Sequence, residues 1–358
     1  MFHVEIHRRL GTFELDVAFA SRDEGGVTAL FGASGAGKTA VVDCVAGLAR
    51  PDSGRIVVGG RVLFDSVTGL DVPTSRRGLG YVFQDSRLFP HLTVRRNLAY
   101  GMRRAASSPR VAFDDVVSRL GIGHLLDRRP RALSGGERQR IAVGRALLTD
   151  PALLLMDEPL ASLDQARKDE LLPFLAELPA RFGVPILDVS HAVDEILRVA
   201  DDLVVLGGGR VLATGSVEEV IGRTDAAGSG RSSVLAAVVD GHEDDYGLTR
   251  LRVGEAVLRV ARLDLLAGAR VRVQIRAAEV ILGKTVPRDL SVQNVLPGTV
   301  RALGDAGPSR VWVEVDVGAP LLAEVTRRAA AQLGLAVGEP VVALVKSLSI
   351  APGRIAAR

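Results

Sequence analysis

Two short segments of this chain carry the residue types that bind and cleave a nucleoside triphosphate. The first, GASGAGKT at residues 32–39, is rich in glycine and follows an apolar run. Glycines let the backbone curl so that its N–H groups point inward, and a triphosphate would lie on them and on the start of the next helix. Lys38 would reach the β- and γ-phosphates, and the Thr39 hydroxyl would bind Mg²⁺. The residues predicted to contact the nucleotide here are Gly32, Ala33, Ser34, Gly35, Ala36, Gly37, Lys38, Thr39 and Ala40.

The second segment, LLLMDE at residues 153–158, is an apolar run that ends in two adjacent carboxylates. Asp157, at the end of the predicted strand, would hold Mg²⁺ directly or through water. Because successive side chains of a strand point to opposite sides, Glu158 would face away from Asp157 and toward the attacking water. A carboxylate that polarises water acts as a general base. Together the two segments predict Mg²⁺-dependent hydrolysis of a nucleotide.

The elements that must position these residues follow an α/β pattern from residue 4 to about residue 223. Residues 27–34, 152–159 and 185–191 each contain a short, continuous apolar run, which predicts buried strands. The apolar residues that follow Lys38 have helical spacing. Continuous apolar strands separated by helices indicate a parallel sheet covered on both faces.

The C-terminal region has a different texture, in which short strands alternate with Gly and Asp turns. We assign residues 224–231 to a linker, because they are rich in glycine and small residues. An internal repeat follows, since residues 266–281 match residues 336–351 at an offset of 70, and SVLAAVV at 233–239 matches NVLPGTV at 294–300. The repeat predicts two β units that resemble OB folds, at residues 232–288 and 289–354.

Bulk properties restrict the class of protein. The chain has 358 residues, a formal net charge of +3 and a pI near 9.3, but its basic residues are dispersed, so we expect no nucleic-acid partner. The one cysteine, Cys44, excludes an internal disulfide, fits a reducing cytosol and is expected in the core of the first helix. No apolar run approaches the roughly 20 residues that span a bilayer, and the N-terminus lacks a signal-peptide core.

The segment LSGGERQR at residues 133–140 resembles the signature of the ATP-binding-cassette (ABC) ATPases. In that family the signature of one subunit closes over the ATP held by the other. The resemblance therefore implies ATP as the nucleotide and a head-to-tail homodimer. Ser134, Gly135, Gly136 and Glu137 would bind the partner subunit's ATP.

Three further residues match motifs of the importers in this family. Gln84 in YVFQD resembles the glutamine that contacts Mg²⁺ and senses the membrane partner, and Asp164 in LASLD resembles the D-loop aspartate. His191 in DVSH resembles the switch histidine that bonds the γ-phosphate. Phe13 is the candidate to stack on adenine, although an aromatic residue on a strand is as often a core residue.

From the first strand to the C-terminus the sequence is similar to the ATP-binding subunits of bacterial molybdate importers. RVLFDSVTGLDVPTSRRGLGYVFQDSRLFPHLTVRRNLAYGM carries much of this similarity. It implies an ABC-type ATPase domain followed by an all-β region. It also implies two membrane permease subunits, an oxyanion-binding protein outside the membrane and a peripheral position on its cytoplasmic face. Leu88, Phe89 and Leu92 would receive a permease helix, unless they are ordinary core residues.

Two other functions remain open from the sequence. The same fold would serve an importer for sulfate, tungstate, ferric ion, a sugar or a polyamine. A soluble cassette ATPase acting on DNA or ribosomes is disfavoured, because the chain has one phosphate loop and no long coiled-coil insertion.

The segment from SVQNVLPGTV to VKSLSI resembles the Mop-type oxyanion domain. Ser291, Asn294, Lys346 and Ser347 match its anion-binding positions. Gln293 stands where arginine is common and Ala329 where serine is common, which removes one charge and one hydroxyl donor. An oxyanion site and a purely structural unit are therefore equally good interpretations.

Overall fold

The computed structural model describes residues 1–22, 26–102, 110–161, 163–223, 231–287 and 289–354. The contacts divide the chain into an N-terminal unit, Met1–Ser216, and a C-terminal unit that begins at Val217. Apart from Arg231, the linker assigned to residues 224–231 lies outside the described residues.

One sheet of eleven strands organises the N-terminal unit, in the order β6-β5-β4-β1-β2-β11-β10-β3-β9-β8-β7. The strands are β1 (Phe2–Leu10), β2 (Phe13–Ala20), β3 (Val27–Phe31), β4 (Ser53–Val58), β5 (Arg61–Asp65), β6 (Leu70–Asp71), β7 (Leu79–Val82), β8 (Leu153–Asp157), β9 (Ile186–Val189), β10 (Asp202–Gly207) and β11 (Arg210–Ser216).

The three strands predicted from apolar runs, β3, β8 and β9, lie in the parallel part of this sheet. β10, β3, β9, β8 and β7 pair parallel to one another, and β3 is buried along its whole length. The predicted parallel sheet is therefore confirmed for these five strands, whereas β1, β2, β4, β5 and β6 pair antiparallel with one another. Since parallel strands end at one edge, the segments that follow β3, β7, β8 and β9 all emerge at the same edge of the sheet.

The described part of the N-terminal unit contains six α-helices, and none of the helices in the described residues is long and apolar enough to cross a membrane. Cys44 is fully buried on the first of them, as expected. The helices are α1 (Lys38–Ala46), α2 (Val94–Met102), α3 (Phe113–Arg119), α4 (Gly135–Leu147), α5 (Gln165–Phe182) and α6 (Val193–Val199), with 3₁₀ turns at Thr74–Arg76, Gly123–Leu125 and Pro130–Ala132.

The C-terminal unit contains two sheets of five strands, ordered β14-β13-β12-β15-β21 and β16-β20-β17-β18-β19. Apolar side chains of both sheets form one core. The elements are α7 (Val217–Arg223), β12 (Ser232–Glu243), β13 (Leu248–Val253), β14 (Ala256–Ala261), β15 (Arg270–Arg276), β16 (Ile281–Gly283), β17 (Asn294–Asp305), β18 (Arg310–Asp316), β19 (Pro320–Thr326), α8 (Arg327–Gln332), β20 (Pro340–Val345) and β21 (Ala351–Arg354), with 3₁₀ turns at Asp244–Tyr246, Ala277–Glu279 and Ser347–Ser349.

The two repeats exchange their last strands. β16 follows the first repeat but pairs with β20 of the second sheet, and β21 follows the second repeat but pairs with β15 of the first. Each five-stranded sheet therefore contains one strand from the other repeat. The shared core explains why the exchange is stable, since neither sheet buries its apolar face alone.

Two side-chain hydrogen bonds join the sheets at equivalent positions. The Ser233 hydroxyl accepts from the backbone N–H of Leu322 at 2.7 Å, and the Asn294 side-chain oxygen accepts from the N–H of Arg259 at 2.6 Å. Ser233 and Asn294 are the first residues of the matched segments in the two repeats. A side chain of each repeat thus accepts a hydrogen bond from a backbone N–H group on an edge strand of the other repeat.

Candidate nucleotide-binding and hydrolysis site

The glycine-rich loop connects β3 to α1, as the sequence predicts. A β-carbon at Gly32 would lie 2.3 Å from the Leu206 carbonyl oxygen, so the close approach of β10 requires glycine here. Gly37 has φ of 101° and precedes α1 without a side-chain cap. The first N–H groups of α1 therefore have no capping side chain, and an anion can bind them.

Lys38 is the first residue of α1 and is buried. Its ammonium donates to the carbonyl oxygens of Gly32 at 2.7 Å and of Ala33 at 3.0 Å. The charge consequently lies inside the curl of the loop. Ala33, Ser34 and Gly35 at the outside of the loop are exposed, whereas Ala36 is buried.

The side chains of Thr39, on α1, and Asp157, at the end of β8, are in contact. The Thr39 hydroxyl lies 3.3 Å from Asp157 Oδ1. Burial, opposed by the Thr39 hydrogen bond and reinforced by the charge of Glu158, raises the pKa of Asp157. Because burial disfavours the charged form of this carboxylate, a cation bound beside it would stabilise that form.

The pair fits Mg²⁺ by its chemistry. Mg²⁺ in nucleotide sites takes one or two protein oxygens together with phosphate oxygens and water, and a dedicated protein cage is unusual. Within the described residues no group of three or more His, Cys, Asp or Glu side chains could hold a metal ion.

Glu158 directly follows β8 and has a different partner from Asp157. Its Oε1 is 3.3 Å from His191 Nδ1, which joins two residues predicted separately. Glu158 has φ of 48°, a left-handed conformation that is uncommon outside glycine. Such strained residues persist where the surrounding structure holds them, and they cluster at functional sites.

Gln84 follows β7, whose Val82 pairs with Met156 of β8. The glutamine thus reaches the same sheet edge as Asp157, Glu158 and His191. Its side chain is exposed and makes no hydrogen bond to the described residues. The structure brings Gln84 to the correct edge without a contact to Thr39 or Asp157.

The signature segment forms the N-terminus of α4. The Ser134 hydroxyl accepts from the N–H of Glu137 at 3.3 Å, and the Glu137 carboxylate accepts from the N–H of Ser134 at 2.6 Å. This reciprocal pair is a capping box. Its backbone hydrogen bond lowers the pKa of Glu137, so this carboxylate serves its own helix. Gly135 is partly exposed beside them, and Gly136 is buried.

Asp164 precedes α5 and caps it, because its Oδ1 accepts from the N–H of Arg167 at 3.0 Å. The aspartate is therefore the last residue of the loop that leads from β8 into α5. Ser162, inside the LASLD motif, lies outside the described residues.

Phe13 packs against the phosphate loop. A β-carbon at Gly37 would lie 3.3 Å from the Phe13 ring, and one at Gly209 would lie 3.1 Å from it. The ring is partly buried against the core of the N-terminal unit. Both interpretations of Phe13, stacking on adenine and packing in the core, agree with this position.

A charged network includes Ser190, the residue before His191. The sequence did not predict this network. The Glu195 carboxylate binds Lys168 Nζ and the Ser190 hydroxyl, each at 2.8 Å. In the same strand as Val189, Asp188 has a buried oxygen without a hydrogen-bond partner. Burial, with the nearby charge of Glu195, raises the pKa of Asp188 to about 8. The signal in the sequence was a carboxylate inside an apolar run.

The residues of the candidate oxyanion site are only partly brought together. Asn294 is buried, and its amide donates to the Arg259 carbonyl at 2.9 Å and to Ser347 Oγ at 3.5 Å. Ser291 and Lys346 are exposed, as is Gln293. Ala329 lies in α8, where its N–H donates to Thr326 Oγ1 at 3.1 Å. Asn294 is thus engaged in joining the two sheets.

Comparisons with known proteins agree with this architecture. A family model described as ABC transporter matches residues 17–161, and one described as TOBE domain matches residues 290–351. The structure of cbiO1 from Clostridium perfringens, part of an ABC transporter complex, has a TM-score of 0.53 at 27% identity, over 62% of this chain and 90% of that one. A nucleotide-free ATP-binding cassette from an ABC transporter has a TM-score of 0.52 at 25% identity, over 61% and 92%. The fold and the site therefore define an ABC-type ATPase that binds nucleotide.

Full-length relatives narrow the class. The molybdenum import ATP-binding protein ModC of Rhodospirillum rubrum is 52% identical over 98% of this chain and 97% of its own length. Proteins of the same name from Paramagnetospirillum magneticum and Brucella melitensis are 48% and 46% identical, over 99% and 97% of this chain and 99% and 96% of their own lengths. The chain belongs to the family of molybdenum import ATP-binding proteins.

Proposed function

We propose that this chain hydrolyses ATP to energise the import of molybdate through a separate membrane permease. The observation that carries the proposal is the convergence of five side chains at one sheet edge. Relatives that match nearly the whole chain, and that are named for molybdenum import, favour molybdate over the other solutes. The residues that converge are Lys38, Thr39, Asp157, Glu158 and His191.

In the hydrolytic site Lys38 and the loop amides bind the phosphates. Thr39, Asp157 and Gln84 would hold Mg²⁺, which neutralises phosphate charge when it is bound. Glu158 orients and deprotonates the attacking water, and His191 contacts the γ-phosphate. The 3.3 Å contact between Glu158 and His191 links the residue that activates water to the residue that senses the phosphate.

Each ATP would be shared between two copies of the chain. Ser134, Gly136 and Glu137 line an open cavity of about 250 Å³ at the start of α4. The described residues that line this cavity include none from the phosphate loop. The two nucleotide-binding elements of one chain are thus separate, and a head-to-tail homodimer would bring each to its complement.

The permease would dock on a groove of about 400 Å³ that Phe89 lines. The Phe89 ring lies 4.7 Å from the Tyr100 ring and 5.1 Å from the Arg145 guanidinium. Leu88 and Leu92 are only partly buried beside it. An apolar floor with cationic rims fits an amphipathic helix at the cytoplasmic face of the membrane.

We expect Phe89→Ala to weaken association with the permease by about 10-fold or more, because buried aromatic anchors dominate such interfaces. Co-purification of the chain with its permease measures the effect, and the thermal unfolding midpoint checks the fold. Tyr246→Ala, which removes a tyrosine that is 78% exposed in the C-terminal unit, is the control. Equal co-purification of both variants would exclude this groove as the docking surface.

The specificity of import follows from the binding protein outside the membrane. We expect the ATPase activity of the assembled transporter to rise when the molybdate-loaded binding protein from the same operon is added. Titrations with molybdate, tungstate and sulfate measure which anion supports this rise. Stimulation by sulfate alone would replace molybdate with sulfate in the proposal.

A cytoplasmic oxyanion site in the C-terminal unit would give feedback inhibition. The exposed ammonium of Lys346 beside Ser347 supports it, while the engagement of Asn294 with Arg259 favours a structural unit. An anion that binds better to the open state raises the free energy of the ATP-closed state by the same coupling, typically about 1–3 kcal/mol.

We therefore expect molybdate on the cytoplasmic side to lower the ATPase rate of the assembled transporter about 5-fold or more. Lys346→Ala should abolish this inhibition, and sulfate serves as the control anion. A flat rate up to roughly millimolar molybdate, or equal inhibition by sulfate, would leave the C-terminal unit structural, since anion selectivity requires a built site.

A further inference from the structure

Arg167, in the first turn of α5, holds both carboxylate oxygens of Asp164. Its backbone N–H donates to Oδ1 at 3.0 Å, and its Nε lies 3.5 Å from Oδ2. The planar guanidinium fixes the orientation of a carboxylate better than an ammonium does. The backbone N–H of residue 167 therefore binds one oxygen of Asp164, and the Arg167 side chain holds the other.

The same side chain contacts the signature segment. A β-carbon at Gly136 would lie 3.1 Å from Cδ of Arg167 and 3.7 Å from its Cγ, so the arginine stem packs on this glycine. Arg167 also lines the cavity at the start of α4, together with Ser134 and Glu137. Arg167 thus lies between the signature and the D-loop of its own chain.

The ion pair between Arg167 and Asp164 contributes little to the stability of the fold. The side chains of Arg167 and Asp164 are 45% and 59% exposed, and ion pairs this accessible contribute little to folding stability. The neighbouring Lys168 turns to the other side of α5 and binds Glu195. Of these two neighbouring basic residues, Arg167 therefore contacts the signature segment and Lys168 contacts Glu195.

We propose that Arg167 is a positioning residue that fixes Asp164 relative to the signature glycines, so that both reach the partner subunit's nucleotide together. The inference rests on the proposed shared sites, because only there do the signature and the D-loop act on the same ATP. Its consequence is that removal of Arg167 impairs closure of the dimer while ATP binding to the single chain is retained.

The test uses the full chain carrying Glu158→Gln, in which hydrolysis cannot deplete ATP. We expect Arg167→Ala to raise the ATP concentration for half-maximal dimerisation about 10-fold or more, since small misplacements of a positioned group are costly. Sedimentation measures the dimer. The affinity of the dilute, monomeric chain for ATP should change less than about two-fold, because this ion pair is exposed and Arg167 is no part of the phosphate loop. Arg167→Lys should fall between the parent and Arg167→Ala.

Arg198→Ala is the matched control. Arg198, on α6, forms an ion pair with Asp169 of α5, and neither residue belongs to the signature or to the LASLD motif. Its loss should leave dimerisation within about two-fold of the parent. An unchanged dimer with Arg167→Ala, an equal loss in both variants, or a parallel loss of ATP affinity would overturn the inference. Absence of an ATP-dependent dimer when Arg167 is intact would instead overturn the shared sites.

Discussion

Replacement of Glu158 by glutamine should stop ATP turnover while ATP binding is retained. Glutamine has the same shape as glutamate, so the phosphate loop and the position of His191 should be unchanged. It cannot accept the proton of the attacking water, and loss of a general base typically lowers the rate by about 10²–10⁴-fold. Because ATP remains uncleaved, the closed dimer should persist. Steady-state ATPase rates and sedimentation with ATP measure the two effects.

Glu177→Gln provides the control for this change. Glu177 lies on α5 and is 44% exposed, 3.9 Å from an arginine of α3. The same chemical substitution there should leave the rate within about two-fold, since exposed ion pairs contribute little. An unchanged rate in Glu158→Gln would remove Glu158 from the hydrolytic step.

Replacement of Ser134 by arginine should abolish hydrolysis, although Ser134 lies outside the phosphate loop of its own chain. The bulky cation would occupy the cavity at the start of α4 and block closure over the partner subunit's ATP. We expect a loss of about 10²-fold or more, because the composite site is not assembled. ATP affinity of the monomer should be retained. Ser134→Ala, which removes only the cap of α4 and costs about 1 kcal/mol of stability, should lose less activity.

A mixture of two inactive variants tests the sharing of each site. Lys38→Ala lacks a functional phosphate loop, and Ser134→Arg lacks a functional signature. A heterodimer of the two contains one complete site, whereas each homodimer contains none. In the Glu158→Gln background we expect ATP to produce dimers in the mixture and not in either variant alone. Parental hydrolysis by Ser134→Arg would refute the shared site.

The core of the ATPase unit was predictable because its signals are local. β3, β8 and β9 are short, mainly apolar segments, and the glycines between β3 and α1 fix the loop. Parallel pairing then brings the strand ends to one edge, so Asp157 and Glu158 follow from the pattern, whereas His191 was predicted from its resemblance to the switch histidine of the family. Asp188 was missed, because its unpaired oxygen becomes unusual only once burial is known.

Long-range pairings were not predictable. The two repeats have similar strands, so the sequence does not show whether β16 and β21 pair within their own repeat or with the other one. The exchange depends on the core that the two sheets share. The bonds of Asn294 to Arg259 join residues 35 positions apart. The contact of Arg167 with Gly136 likewise depends on how α5 packs beside α4. Tertiary packing determines such contacts, and periodicity carries no signal for them.

Uptake of labelled molybdate by proteoliposomes tests the central claim most directly. The assembled transporter would carry either the parental chain or Glu158→Gln, with ATP on the face that bears the chain and loaded binding protein on the other. The account predicts ATP-dependent accumulation with the parental chain, and a fall of about 10²-fold or more with Glu158→Gln. Equal accumulation with both chains, or accumulation of sulfate in place of molybdate, would contradict it.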